Sequence, residues 1–238
     1  MSTRRVCSSV ACIRVAVATS LLFVAASSPA RAADQPVSQE TIQAAIAKGQ
    51  AFLLSQMKAP GRWETDAQRK GNKHDHEHMQ GSTWGGFTAI ATYALLASGK
   101  HPQDKDVAAA INFLKSADIT GAYALGLRAQ VWSHLPRGPE IVRLYNQDAA
   151  ALIRTINKGG AAAAMWDYDD PTNRPSNRID HSLSQYGVLG LWACAQGGAE
   201  INPEIWAAFD GAWRKHQYAS GGWSYKGDGK DADPVTPR

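Results

Sequence analysis

Two runs of ionisable side chains stand out in this chain: Asp167-Tyr168-Asp169-Asp170 and His74-Asp75-His76-Glu77-His78. A carboxyl can protonate a substrate only when burial and neighbouring carboxylates hold it protonated, a condition that three clustered aspartates favour. The competing reading of the same residues is a solvated acidic loop. The three histidines alternate, so they face one way only in an extended segment, and no fixed scaffold is evident around them. They read as a polar surface loop with incidental metal affinity, and no metal ligand or cofactor is assigned. Asp180 and His181 open a glycine-rich helix, where an aspartate also serves as N-cap. Together with Trp166, Tyr168 and Tyr225 they are the candidate substrate contacts, because aromatic side chains can line an apolar cavity as well as an inter-helix core.

The elements that must position these residues are helices. The clearest stretch runs from Asp180 to Tyr225. Leu183, Tyr186, Leu189 and Trp192 or Ala193 recur at helical spacing and predict a helix buried on most sides. Its glycines, Gly187 and Gly190, each cost about 1 kcal/mol in a helix interior, so they demand a close-packed neighbour. Asn202 and Pro203 then start a second helix with Ile205, Phe209, Ala212 and Trp213 on one stripe. Earlier segments repeat this plan more weakly: Ile42, Ala45, Ile46, Gly49, Phe52, Leu53 and Met57; Trp84 to Leu95; Val107, Ile111 and Leu114 behind Asp104 as cap; Thr120 to Ser133; and Ile141, Leu144, Leu152 and Ile156. Seven paired helices and no strand are expected, as αα-hairpins in series.

Composition sets the remaining bounds. Arg4, Arg5 and Arg14, the apolar run Val15 to Ala26 and the Ala30-Arg31-Ala32 exit read residues 1–32 as a secretory signal, so the chain is expected to be exported to the periplasm or beyond. Four of the 25 Lys and Arg residues and none of the 21 Asp and Glu lie there, so residues 33–238 carry 21 of each sign. A neutral remainder offers no electrostatic argument for nucleic acid, and no membrane span is expected in it. Cys7 and Cys12 belong to the leader, leaving Cys194 without an internal disulfide partner. Past Lys226 the glycines and prolines stand where another helix is due, and residues 33–238 read as a C-terminally truncated set of repeats.

Gln217-Tyr218-Ala219-Ser220-Gly221-Gly222-Trp223 resembles the Q-x-x-x-G-x-W repeat of squalene and oxidosqualene cyclases, and Lys48-Gly49-Gln50-Ala51-Phe52-Leu53 through Gly61-Arg62-Trp63 is similar to its longer form. In the first copy Met57 replaces the repeat glutamine. The copy ending at Trp166 lacks both glutamine and glycine. Asp180 to Trp192 also resembles a helix of large secreted bacterial proteins with squalene-cyclase-like repeats. The resemblance is to the terpenoid cyclase and prenyltransferase superfamily, and it implies an all-α, α/α-toroid fold, here an incomplete ring. It also implies an acid role for Asp169 with Asp167 and Asp170 as helpers, since squalene cyclases use a D-x-D-D motif. The chain departs from that motif, with Pro171-Thr172 following the aspartates. Cys194 has no Asp-x-Cys neighbour, which argues against a zinc prenyltransferase. Three functions follow: a non-catalytic module binding a protein or an apolar or glycan ligand, an isoprenoid cyclase, or a toroid polysaccharide lyase.

Overall fold

The computed structural model describes residues 37–64, 83–168 and 178–226. The leader, the histidine run, Asp169, Asp170 and the chain beyond Lys226 lie outside the described residues. Contacts divide the chain into Met1–Gln39 and Glu40–Arg238, and the helices belong to the second unit apart from the first residue of the first helix. Seven α-helices are described: α1 (Gln39–Ser55), α2 (Gly86–Ala97), α3 (Lys105–Ser116), α4 (Ala122–Trp132), α5 (Pro139–Arg154), α6 (His181–Gln196) and α7 (Pro203–Lys215). No strand occurs among the described residues, and the fold is all-α. None of the described helices is long and apolar enough to cross a membrane.

The start signals act locally. Asn202 Oδ1 accepts from the Glu204 N–H at 2.9 Å with Pro203 at the first helical position, and Asp180 Oδ1 accepts from the Leu183 N–H at 2.8 Å. Each satisfies a backbone donor that has no partner inside the helix. Asp104 does otherwise: its carboxylate accepts from His101 N–H in the preceding turn rather than from α3.

Helices α2, α4 and α6 lie side by side, with the broadest contact between α4 and α6; α3 packs on α2, and α5 packs on both α4 and α6. Glycine permits the α4–α6 approach. A methyl on Gly126 would fall on the Tyr186 carbonyl, and one on Gly190 would stand 2.7 Å from Gly126 Cα. Gly187 lies against the Trp166 ring, with 2.7 Å to its nearest atoms from an added methyl. These contacts are the packing reason the helix glycines required.

The expected apolar stripes need three corrections, the first at Phe87, which was expected on the stripe of the Trp84 to Leu95 helix and is exposed. On α6 the buried line runs through Leu183, Gly187, Gly190, Leu191 and Cys194, while Leu189 and Trp192 are exposed. The small residues turn to the neighbouring helix because only they allow its backbone close, and that rotation carries Leu189 and Trp192 outward. Helix α1 has no buried residue, and Ile42 and Phe52 are exposed; Leu53, Leu54 and Met57 reach the core from its last turn.

The three tryptophan corners share a construction. Trp63 follows α1 and donates its indole N–H to the Leu53 carbonyl at 2.8 Å; Trp223 follows α7 and donates to the Trp213 carbonyl at 2.8 Å. Trp166, after α5, donates to the Leu152 carbonyl at 3.2 Å and shares that proton with the Thr155 hydroxyl. Each bond satisfies a helix-end carbonyl. Two residues before each tryptophan the backbone is left-handed, at Gly61 (φ 76°), Gly221 (φ 87°) and Ala164 (φ 61°). Gln217 does not reach a neighbouring hairpin, because its amide donates to the Gly221 carbonyl at 2.9 Å inside its own turn. Met57, in the corresponding place, accepts from the Gly61 N–H at 3.3 Å.

The corners also tie on to the next helices. The Trp63 N–H donates to Thr88 Oγ1 on α2 at 2.9 Å, as the Trp166 N–H does to Ser184 Oγ on α6 at 3.0 Å. The Trp166 ring reaches Phe209 of α7, with centroids 5.0 Å apart.

Candidate functional site

The residue after each corner tryptophan is buried: Glu64, Asp167 and Ser224. Glu64 caps α2, accepting from the Thr88 N–H at 3.0 Å and from the Thr88 hydroxyl. Asp167 accepts from the Tyr168 N–H at 2.7 Å and stands 3.7 Å from Arg178 Nε. Asp169 and Asp170 lie outside the described residues, so of the three aspartates only Asp167 is described. Trp166 is fully buried and presents no surface to a ligand.

The other candidates gather at the first turn of α6. Asp180 Oδ1 accepts from Ser182 Oγ at 2.6 Å as well as from the Leu183 N–H. Tyr168 bonds Ser182, and burial, with Asp180 and Tyr123 nearby, raises its pKa. Tyr123, on α4, meets Tyr186, on α6, edge-on at 4.7 Å, and burial raises its pKa too. Phenols shifted upward stay protonated at neutral pH, so they offer hydrogen bonds and an aromatic surface rather than a base. Tyr225 is exposed at the rim, and its carbonyl accepts from the His181 N–H at 2.9 Å.

His181 is buried against Trp213 and His216, with ring centroids at 5.1 and 5.7 Å. Its Nδ1 lies 2.6 Å from the Ser224 carbonyl, and its Nε2 is buried without a partner among the described residues. Burial lowers its pKa, with the Ser224 bond acting against the shift. The neutral tautomer with Nδ1–H donating fits both nitrogens. His181 therefore fastens the Trp223 corner to α6.

Cys194 is buried, and burial pushes its thiol up, so it stays protonated at neutral pH. Among the described residues no three His, Cys, Asp or Glu side chains come together as a metal site.

Sequence reading missed two features. The first is a buried ion pair: Arg128 on α4 forks on to Asp148 of α5, with Nε to Oδ2 at 3.2 Å, and its Nη1 donates to the Leu114 and Ala117 carbonyls at 3.2 and 2.9 Å. Trp132 Nε1 donates to Asp148 at 2.8 Å. Burial raises the Asp148 carboxyl pKa while Arg128 and Trp132 work to lower it. Every strong donor around it is matched, which makes this network a structural tie between three helices. An arginine within the apolar run of α4 was the signal that could have found it.

The second is an exposed apolar face on the α2–α4–α6 row. Phe87 and Ile90 of α2 and Leu189 and Trp192 of α6 are exposed, and Tyr123 of α4 and Tyr186 of α6, in ring contact, are half-buried. Gln130 of α4 donates to the Leu189 carbonyl at 3.1 Å across the same face. At its end, between the C-termini of α4 and α6 and the first turns of α5, lies a cavity of about 370 Å³ that includes Trp192, Gln130 and Tyr145. No family model, curated protein or solved structure matches the chain.

Proposed function

We propose that the chain is an exported helical-hairpin protein of the α/α-toroid kind, similar to squalene-cyclase-like repeat proteins, and that it works as a non-catalytic binding module through the face of α2, α4 and α6. The observation that carries the toroid reading is the recurrence at Trp63, Trp166 and Trp223 of one indole-to-carbonyl bond and one left-handed residue. It persists at Trp166, where the sequence motif is gone. Serially equivalent corners and an inner row of helices are what a stack of αα-hairpins requires.

The binding reading is supported by where polar and apolar groups lie. Glu64, Asp148, Asp167 and His181 are each committed to a structural partner, whereas Phe87 and Ile90 of α2 and Leu189 and Trp192 of α6 are exposed. Clustered exposed apolar side chains on an otherwise ordinary surface mark interaction sites.

The test is titration of the full chain with the apolar dye 1-anilinonaphthalene-8-sulfonate. Saturable binding that falls in Phe87→Ser and Leu189→Ser, with melting unchanged, supports the proposal. No saturable binding, or binding indifferent to both substitutions, defeats it. Product formed from squalene by the full chain and lost in Asp169→Asn would establish the cyclase reading instead.

A further inference from the structure

We infer that the cavity at the C-terminal ends of α4 and α6 binds a neutral sugar ring stacked on Trp192. The inference rests on the binding-module reading and adds a ligand class to it.

Size comes first. About 370 Å³ lies near the lower end of the roughly 300–1,000 Å³ that ligand pockets span, which suits a ring-sized ligand better than a long chain. The wall supplies the second argument. Trp192 is 54% exposed although it lines a cavity, so much of its indole is uncovered. Val142, opposite on α5, is also exposed. A pyranose presents C–H groups on its faces and hydroxyls around its edge, so a face can lie on an indole while the edge remains free to hydrogen-bond.

The polar groups match that edge. Tyr145 is 4% exposed, and its hydroxyl has no hydrogen-bond partner among the described residues. The hydroxyl is both a donor and an acceptor at the cavity that Tyr145 lines. Gly197 makes room for that ring, since a methyl there would overlap it. Burial pushes the Tyr145 pKa up to about 12, which keeps the hydroxyl protonated and unfit as a base. Gln130, Gln196 and Arg137 add planar donors, with Arg137 Nη2 already fixed on the Gln196 carbonyl at 3.2 Å.

Charge at the cavity is nearly balanced. Arg137 is the one charged residue among the described lining, and the negative dipole ends of α4 and α6 are met there by the positive end of α5. The last carbonyls of α4 and α6 already accept from the Ser133, His134, Leu135, Gly197, Gly198 and Ala199 N–H groups and from Arg137, so a ligand's hydroxyls meet the side-chain groups of the lining. A neutral polyol both donates and accepts, as the lining does.

The experiment is calorimetric and fluorescence titration of the full chain with glucose, galactose, mannose and N-acetylglucosamine, with glucuronate and cyclohexanol as comparators. Saturation by at least one neutral sugar at millimolar concentration is expected. Trp192→Ala should weaken it at least about tenfold, and Tyr145→Phe about three- to tenfold, with melting unchanged. Saturation by none of the four sugars overturns the inference, as does binding that survives Trp192→Ala. Equal binding of cyclohexanol would mean a merely apolar slot, and stronger binding of glucuronate would refute the neutral assignment. If dye binding persists while sugar binding fails, the binding-module reading stands and the ligand class falls; loss of both removes both.

Discussion

The same substitution, glycine to alanine inside a helix, should have opposite signs at Gly126 and Gly211. Alanine gains about 1 kcal/mol over glycine in a helix interior from propensity alone. At Gly211 in α7 an added methyl meets nothing within 4 Å, so that gain should appear nearly whole. At Gly126 the methyl would fall on the Tyr186 backbone carbonyl, which cannot rotate aside as a side chain would. Relief requires α4 and α6 to separate, loosening the broadest helix contact in the fold. Overpacking of this kind costs roughly 3 kcal/mol at the upper end of its usual range, leaving a net loss of about 2 kcal/mol after the propensity gain. For a domain of this size the midpoint should fall by roughly 4–8 °C in Gly126→Ala and rise by roughly 1–4 °C in Gly211→Ala. Thermal and guanidinium unfolding followed by circular dichroism at the helix band measures both. A Gly126→Ala protein as stable as the parent would refute the close α4–α6 approach, and with it the reason given for glycine in both helices.

Three further outcomes are expected. Ala164→Gly should hold or raise stability by up to about 1 kcal/mol, because Ala164 sits at φ 61° where glycine has no Cβ penalty, whereas Gly221→Ala at φ 87° should lower it by a similar amount; parallel chemical unfolding curves would expose a reversed order. Thr92→Val should stabilise by roughly 1 kcal/mol, since the Thr92 hydroxyl is buried without a partner among the described residues and valine keeps the shape, and a lower midpoint in urea would count against this. Acid should weaken the fold partly through His181. Its pKa is lowered in the folded state, so the unfolded chain takes up the proton first and stability falls as pH drops below the ordinary value of 6.5. The loss between pH 7.5 and 5 should be smaller in His181→Gln, and equal losses in the two proteins would dismiss His181 as the titrating group.

Much of the helical order was legible from sequence because its signals are local. Apolar residues at helical spacing, Asn202-Pro203 and Asp180 as starts, and glycine two residues before Trp63 and Trp223 each act within a few positions of themselves. The expectation that glycine within α6 needs a close neighbour also followed from the residue alone, since its cost is intrinsic to the backbone. Tertiary structure decided the rest. An almost uniformly apolar helix such as α6 has no unique stripe, so only packing against Gly126 could rotate Leu189 and Trp192 into solvent. Ala164 keeps a left-handed backbone that its own chemistry opposes, held by the surrounding corner, so no motif could announce it. Arg128 and Asp148 pair across 20 residues, and Trp192 and Tyr145 share a cavity across more, through geometry that linear spacing does not encode.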